Sequence, residues 1–295
     1  GIAKAIVDNE NVYNVSLAYI SVRNDSVRQI MEAFANSRLS APRRLNVQIY
    51  HYYGTRQEEL TRAIAEALHP ILVSRSFDFL ALENFYFTKE SFALIASSLS
   101  RFASIAFDEC RFDAGVTTAF IEVFRGDPND EDFPRALFVS RAAGQPFARP
   151  ESEVYSSILR YPQCRLRCLS LDTFKMSAKD FKITADAIGS NTSLVEIWFW
   201  NINGMEKFKA LLVLIPKLQK VSCIKLCLHE RFRSRNPNAA QELLSSIRRN
   251  TSLQVVDYQL GPEDMPFFTD YQNDALEQLS TRNSTLNSWL QNPED

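Results

Sequence analysis

The chain has 295 residues, 45% of them hydrophobic, and a formal net charge of -2. This is the composition of a folded protein, and a charge so near zero excludes a general attraction to nucleic acid or to anionic membrane. No apolar run approaches the roughly 18–20 residues of a membrane-spanning helix, and the eight glycines disfavour Gly-rich phosphate-binding loops. Five cysteines, an odd number with no signal peptide before them, imply reduced thiols in a cytoplasmic (or nuclear) compartment. The chain opens on Gly1 rather than Met, as expected of a piece of a longer protein.

One pattern recurs along the chain: an apolar anchor, two free positions, an apolar residue, one free position, another apolar residue, then a further apolar one about three on. Its first copy is Val12, Val15, Leu17 and Ile20, followed by Val27, Ile30, Met31 and Phe34 on one helical face. A degraded copy, Leu45, Val47 and Ile49, precedes the helical set Leu60, Ile64 and Leu68. Phe77, Leu80, Leu82 and Phe85 lead to Phe92, Ile95, Ala96 and Leu99; Phe102, Ile105, Phe107 and Cys110 lead to Val116, Phe120 and Phe124. The Pro-, Gly- and acid-bearing stretch 127–150 breaks the pattern, with a weak strand near Ala136–Val139 and a loop through Gly144–Pro150.

Leu166, Leu169, Leu171 and Phe174 resume it, before a helix carrying Phe181, Ile183, Ala187 and Ile188. Leu194, Ile197, Phe199 and Ile202 follow. Around Leu218 two strand registers compete, Leu218/Val221/Cys223 and Cys223/Leu226/Leu228; Pro216 favours the first and leaves 224–236 as an irregular insertion. A helix with Leu243, Leu244 and Ile247, then Leu253, Val256 and Tyr258, complete the series. Thr88 with Ser91, Ser177 with Asp180, and Asn236-Pro237 mark helix starts.

Asn-Thr-Ser-Leu occurs at Asn191–Leu194 and again at Asn250–Leu253, with a near copy at Asn283–Leu286, each between a helix-period stretch and a strand-period one. Strand, helix and parallel strand returning every ~25–35 residues give about nine irregular units that must stack to bury their apolar faces, a single repeat domain over 1–295. These residues resemble leucine-rich repeats of the ribonuclease-inhibitor-like class. The resemblance implies an α/β solenoid, a horseshoe with parallel strands on the concave face and helices on the convex face. It also implies protein recognition as the default role. The chain departs from that family where an Asn follows the strand: Phe85, Cys110, Phe174 and Ile202 stand there, so apolar packing must replace the missing side-chain bonds.

Strand side chains alternate, so the free positions point out of the concave face. They are Asn14, Ser16, Phe79, Ala81, Glu83, Ser104, Ala106, Asp108, Cys168, Ser170, Asp172, Glu196, Trp198, Trp200, Val255, Asp257 and Gln259. Trp198 and Trp200 share one face of one strand, and Glu83, Asp108, Asp172, Glu196 and Asp257 place acids on outward positions that would steer a basic partner. A slip of one residue would bury both tryptophans instead, and the sequence leaves the two readings level.

Cys164/Cys168 and Cys223/Cys227 are equally spaced, but residues four apart on a strand lie roughly 13 Å apart, too far to share one zinc. His51, His69 and His229 sit in no ligand or nucleophile motif, and no enzyme signature is present. Neither cofactor nor metal is expected. The 229–235 segment, with Arg231, Arg233 and Arg235, is a basic patch that reads as a solvated excursion; Tyr50-His51-Tyr52-Tyr53 reads as loop packing. The Asn-x-Ser/Thr sites at Asn14, Asn24, Asn191, Asn250 and Asn283 read as repeat residues or chance, not glycosylation sites.

The expected function is a non-catalytic recognition or scaffold module that binds a protein on its concave face, with no small-molecule substrate. Two alternatives stand beside it: an architectural subunit of a larger assembly, and a regulator of an enzyme such as a small GTPase, for which an arginine of the basic patch would reach the phosphate site.

Overall fold

A computed structural model describes residues 14–17, 29, 44–48, 57–74, 78–125, 134–140, 147, 150–258, 277–278 and 281–284. The helix expected around Val27–Phe34, Ile49, the Tyr50–Tyr53 cluster, most of the 144–150 loop, Gln259, and Thr285 with Leu286 of the last tetrapeptide copy lie outside the described residues, as do the side chains of Asn14, Arg233 and Asp257.

The chain is α/β, with parallel strand pairing throughout the described strands. It divides into two compact units, one of Gly1–Pro150 with Tyr161–Arg165 and one of Glu151–Arg160 with Leu166–Asp295.

In the first unit, strands β1 (Asn14–Leu17), β2 (Arg44–Gln48), β3 (Phe79–Glu83), β5 (Ser104–Asp108) and β7 (Ala136–Ser140) pair in that order. The register is unstaggered: Leu45, Leu80, Ile105 and Leu137 form one buried row, Val47, Leu82, Phe107 and Val139 the next. The apolar positions of the repeat therefore stack, as unit-on-unit burial requires. Short strands β4 (Tyr86–Phe87) and β6 (Arg111–Phe112) form a second ladder after β3 and β5. Helices α1 (Gln57–Ser74), α2 (Lys89–Leu99) and α3 (Thr117–Arg125) return the chain, and α2 opens on a Thr88/Ser91 capping box.

The second unit pairs β8 (Cys168–Asp172), β9 (Glu196–Ile202), β10 (Cys223–Leu228) and β11 (Val255–Tyr258). Its helices are α4 (Glu151–Leu159), α5 (Ala178–Ser190), α6 (Met205–Leu214), α7 (Glu230–Arg235) and α8 (Ala239–Ile247). The face-sharing sets above include no helix at 151–159 or 205–214, yet both form. On α5 the buried face runs Phe181, Thr184, Ala185, Ile188, and Ile183 lies off it, since 184 and not 183 falls one turn after 181.

Three expectations need correction. Residues 223–228 are a strand, not part of an excursion. Val221 is the anchor, and Ile224 and Leu226 face inward opposite Ile197 and Phe199, a register three residues beyond the favoured one. The cause is the single 3-10 turn Ile215–Lys217, which uses Pro216 to extend α6 before the strand can begin. Phe174 is not an inward residue: it is 41% exposed, and fully buried Thr173 takes the slot, its hydroxyl donating to the Trp200 carbonyl at 3.0 Å. Nor is the slot at Cys110 purely apolar, because its thiol donates to the Leu82 carbonyl at 3.1 Å.

The tetrapeptide has a physical reading. In Asn191 the side-chain amide donates to Leu159 O (2.8 Å) while its carbonyl accepts from Ser193 N (2.9 Å) and Leu194 N (2.8 Å). Fully enclosed Asn250 repeats this, donating to Ile215 O (2.7 Å) and Leu218 O (2.8 Å) and accepting from Ser252 N and Leu253 N. Asn283 in turn reaches back to Asn250 O at 3.4 Å. Each Asn satisfies buried backbone groups between one repeat and the next.

Candidate functional site

The outward face of the second unit is set by the alternation of β9. Ile197 and Phe199 are buried, whereas Trp198 and Trp200 are half-buried on the other side. The strand is in the register that turns both indoles outward, so the slipped alternative is excluded. Their rings meet edge to face, centroids 6.1 Å apart at 73°, an arrangement worth about 1 kcal/mol beyond area burial.

Neighbouring strands hold each ring. Trp198 pairs in register with Ser170 on β8 and Lys225 on β10. The Lys225 ammonium sits 4.0 Å from the centre of the Trp198 ring and 3.8 Å from the Glu196 carboxylate. That carboxylate accepts from Trp198 Nε1 at 2.6 Å. Trp200 Nε1 donates to Ser170 Oγ at 2.9 Å, which explains why Ser170, an outward position, is only 2% exposed. The indole N–H groups are thus satisfied within the sheet, leaving ring surface as what the face offers.

The described acids of the outward positions, Glu83, Asp108, Asp172 and Glu196, are engaged rather than free. Asp172 accepts from Asn201 Nδ2 (3.0 Å) and Phe174 N (2.9 Å), with Asn201 at φ 57° just beyond Trp200. In the first unit the Gln48 amide donates to Glu83, and Ser140 Oγ donates to Asp108 at 2.8 Å, each from the adjacent strand of the same row. Glu83 and Asp108 belong to the first unit; Asp172, Glu196 and the strand position of Asp257 belong to the second. Asp257 lies opposite Lys225 in register.

Cys168 and Cys223 flank Glu196 on either side. Burial, and then the Glu196 carboxylate, pushes the Cys168 thiol up to about 12, so it is an unreactive thiol at neutral pH. All five cysteines are free. Among the described residues no group of three or more His, Cys, Asp or Glu is placed to hold a metal ion. His69 Nδ1 contacts Leu94 O at 2.7 Å, a helix-to-helix link between α1 and α2. No helix among the described residues is long and apolar enough to cross a membrane.

Sequence reasoning missed Lys225 and Asn201, and gave Ser170 as an outward position without its bond to Trp200. All act through strand-to-strand register, which one strand's pattern does not encode; a correct anchor at Val221 would have turned Lys225 outward.

No protein-family model matches the chain, and no curated protein matches it. Among solved structures it is similar to leiomodin-1 actin-binding site 2 (ABS2), at 11% sequence identity and a TM-score of 0.37, over 48% of this chain and 79% of that one.

Proposed function

We propose that the chain is a non-catalytic recognition module whose second-unit sheet face, centred on Trp198 and Trp200, binds a segment of a partner protein. The observation that carries this is the pair of half-buried, edge-to-face indoles whose polar atoms are already bonded inside the sheet. Aromatic rings fixed in advance lose little entropy on docking and are frequent interface hot spots. Lys225 and Glu196 beside them add a polar rim rather than a uniform acidic surface, so the partner need not be strongly basic.

The unstaggered parallel rows and the Asn-to-backbone ladder support reading the chain as one leucine-rich-repeat solenoid of about nine repeats. Free thiols fit a cytoplasmic or nuclear setting. The test is affinity capture with the parent chain and with Trp198→Ala/Trp200→Ala. Loss of a partner by the variant, with its melting temperature close to the parent's, supports the reading; equal capture by both refutes it.

A further inference from the structure

A second feature of the second unit lies at the carboxyl ends of β8, β9 and β10. A cleft of about 750 Å³ opens there, lined by Phe174, Asn203, Gly204, His229, Arg231 and Arg235 among others. The volume is that of an ordinary ligand site. Its walls are built rather than incidental. Phe232 is buried against Phe208, ring centroids 5.2 Å apart, and so pins the short helix α7. Arg231 and Arg235, one turn apart on that helix, both line the cleft, are exposed, and pair with no carboxylate among the described residues.

Phe174 also lines the cleft, 41% exposed, with the His229 ring 5.4 Å away and the Lys175 ammonium 5.5 Å from its centre. Asn203 lines it too, held by Lys207 Nζ (2.7 Å) and donating to Phe174 O (3.2 Å). Beside it α6 begins at Gly204 with no side-chain cap. The adjoining carboxylates are engaged: Asp172 by Asn201 and Phe174 N, Glu206 by Lys209 at 3.2 Å.

We propose that this cleft receives a phosphotyrosine carried by a partner protein's segment, its phosphate on Arg231 and Arg235 and its ring against Phe174. Two guanidinium forks and a nearby ammonium match a dianionic phosphate better than a single carboxylate. The exposed ring gives the ester's own ring a surface to stack on. A net charge of -2 does not fit a nucleic-acid stripe. A protein source is favoured over a free nucleotide because Asn203 and Gly204 of the cleft directly follow β9, whose outward face carries Trp200, so one segment could cross both. The inference rests on the proposed recognition role only for that choice of source.

The test is fluorescence anisotropy with a labelled degenerate phosphotyrosine peptide library, its unphosphorylated twin and a phosphoserine library, with inorganic phosphate and ATP as competitors. Phosphotyrosine peptides are expected to bind and the twin not to. Arg231→Gln/Arg235→Gln should weaken binding about tenfold or more, and Phe174→Ala severalfold and for phosphotyrosine only. Inorganic phosphate should compete, and ATP no better than phosphate. Equal binding of the twin, indifference to the double Arg variant, phosphoserine binding as tight as phosphotyrosine, or ATP binding tighter than the peptides would each overturn the proposal. Both Arg side chains are exposed, so an unchanged melting temperature verifies that the variant is folded. Trp198→Ala/Trp200→Ala separates the two readings. If it loses a captured partner while still binding phosphotyrosine peptides, the face and the cleft act independently; if phosphotyrosine fails to bind while capture still depends on the tryptophans, the cleft alone is refuted.

Discussion

The two units pair backbone beyond their strands alike, Thr173 N with Trp200 O (2.9 Å) and His229 N with Ile202 O (3.0 Å) in the second, and differ between helix and strand. In the first, the backbone beyond β3 and β5 pairs with the neighbouring repeat: Asn84 N with Asp108 O (2.8 Å), Arg111 N with Phe85 O (2.8 Å), Asp113 N with Phe87 O (3.0 Å). Its polar groups are thereby satisfied, and the side chains there are free to be rings. Phe85, Phe87, Phe112 and Phe147 stack in series, centroids 5.3, 5.5 and 4.9 Å apart and planes within 14°. In the second unit, buried carbonyls and amides between helix and strand are met by side chains, those of Asn191, Ser193, Asn250 and Ser252. Where the backbone pairs with itself, residue identity can drift. Where one amide must both donate and accept, it cannot. That is a physical reason for the tetrapeptide to recur in the second unit; at Ser100-Arg101-Phe102 in the first, the turn carries backbone bonds, and the Arg101 guanidinium donates to Val73 O.

The largest effect should come from the ring stack. Phe112 is 3% exposed and meets five other rings, with centroids 4.9–6.1 Å away. Phe112→Ala should cost about 4 kcal/mol in urea unfolding, and Phe112→Leu markedly less; equal costs would mean that ring shape is irrelevant there. Asn250→Ala should follow at roughly 3 kcal/mol, because it strands the Ser252 and Leu253 N–H groups in the core and takes one donor from each of two carbonyls. Asn250→Asp should be no milder, since it keeps the acceptor but loses both donations. A neutral Asn250→Ala would contradict the ladder account.

Glu151 comes next. It is 5% exposed, and burial, reinforced by Asp180 and Asp172 and opposed by Lys207, pushes its carboxyl up to about 7. The folded state thus keeps a proton that the unfolded state releases near pH 4, so stability falls as pH rises from about 4 to 7. Glu151→Gln cannot lose that proton. Its advantage over the parent should be absent below pH 4 and reach roughly 3 kcal/mol by pH 8. Denaturation midpoints across that range check it, and a constant difference would rule out the titration.

Much of this was legible in the sequence. The inward Leu80 and the anchors Leu194 and Leu253 marked their strands, and alternation put Trp198 and Trp200 on one face without deciding which. What was not legible depended on neighbours. Thr173 replaces Phe174 because a hydroxyl can reach the Trp200 carbonyl across the sheet. The β10 register shifted because Pro216 prolongs the preceding helix. Lys225 over Trp198, and the partners that occupy Glu83, Asp108 and Asp172, are strand-to-strand relations with no trace in a single strand's pattern.

The smallest stability effect should be at Trp200, whose half-buried ring holds one hydrogen bond and one ring contact. The most direct measurement is therefore a paired one on Trp200→Ala: affinity for a captured partner, and free energy of unfolding. The expected result is a loss of at least ~2 kcal/mol in binding with about 1 kcal/mol or less in stability. A stability loss of ~3 kcal/mol or more, with affinity unchanged in the folded fraction, would show the indole to be core and contradict the recognition face.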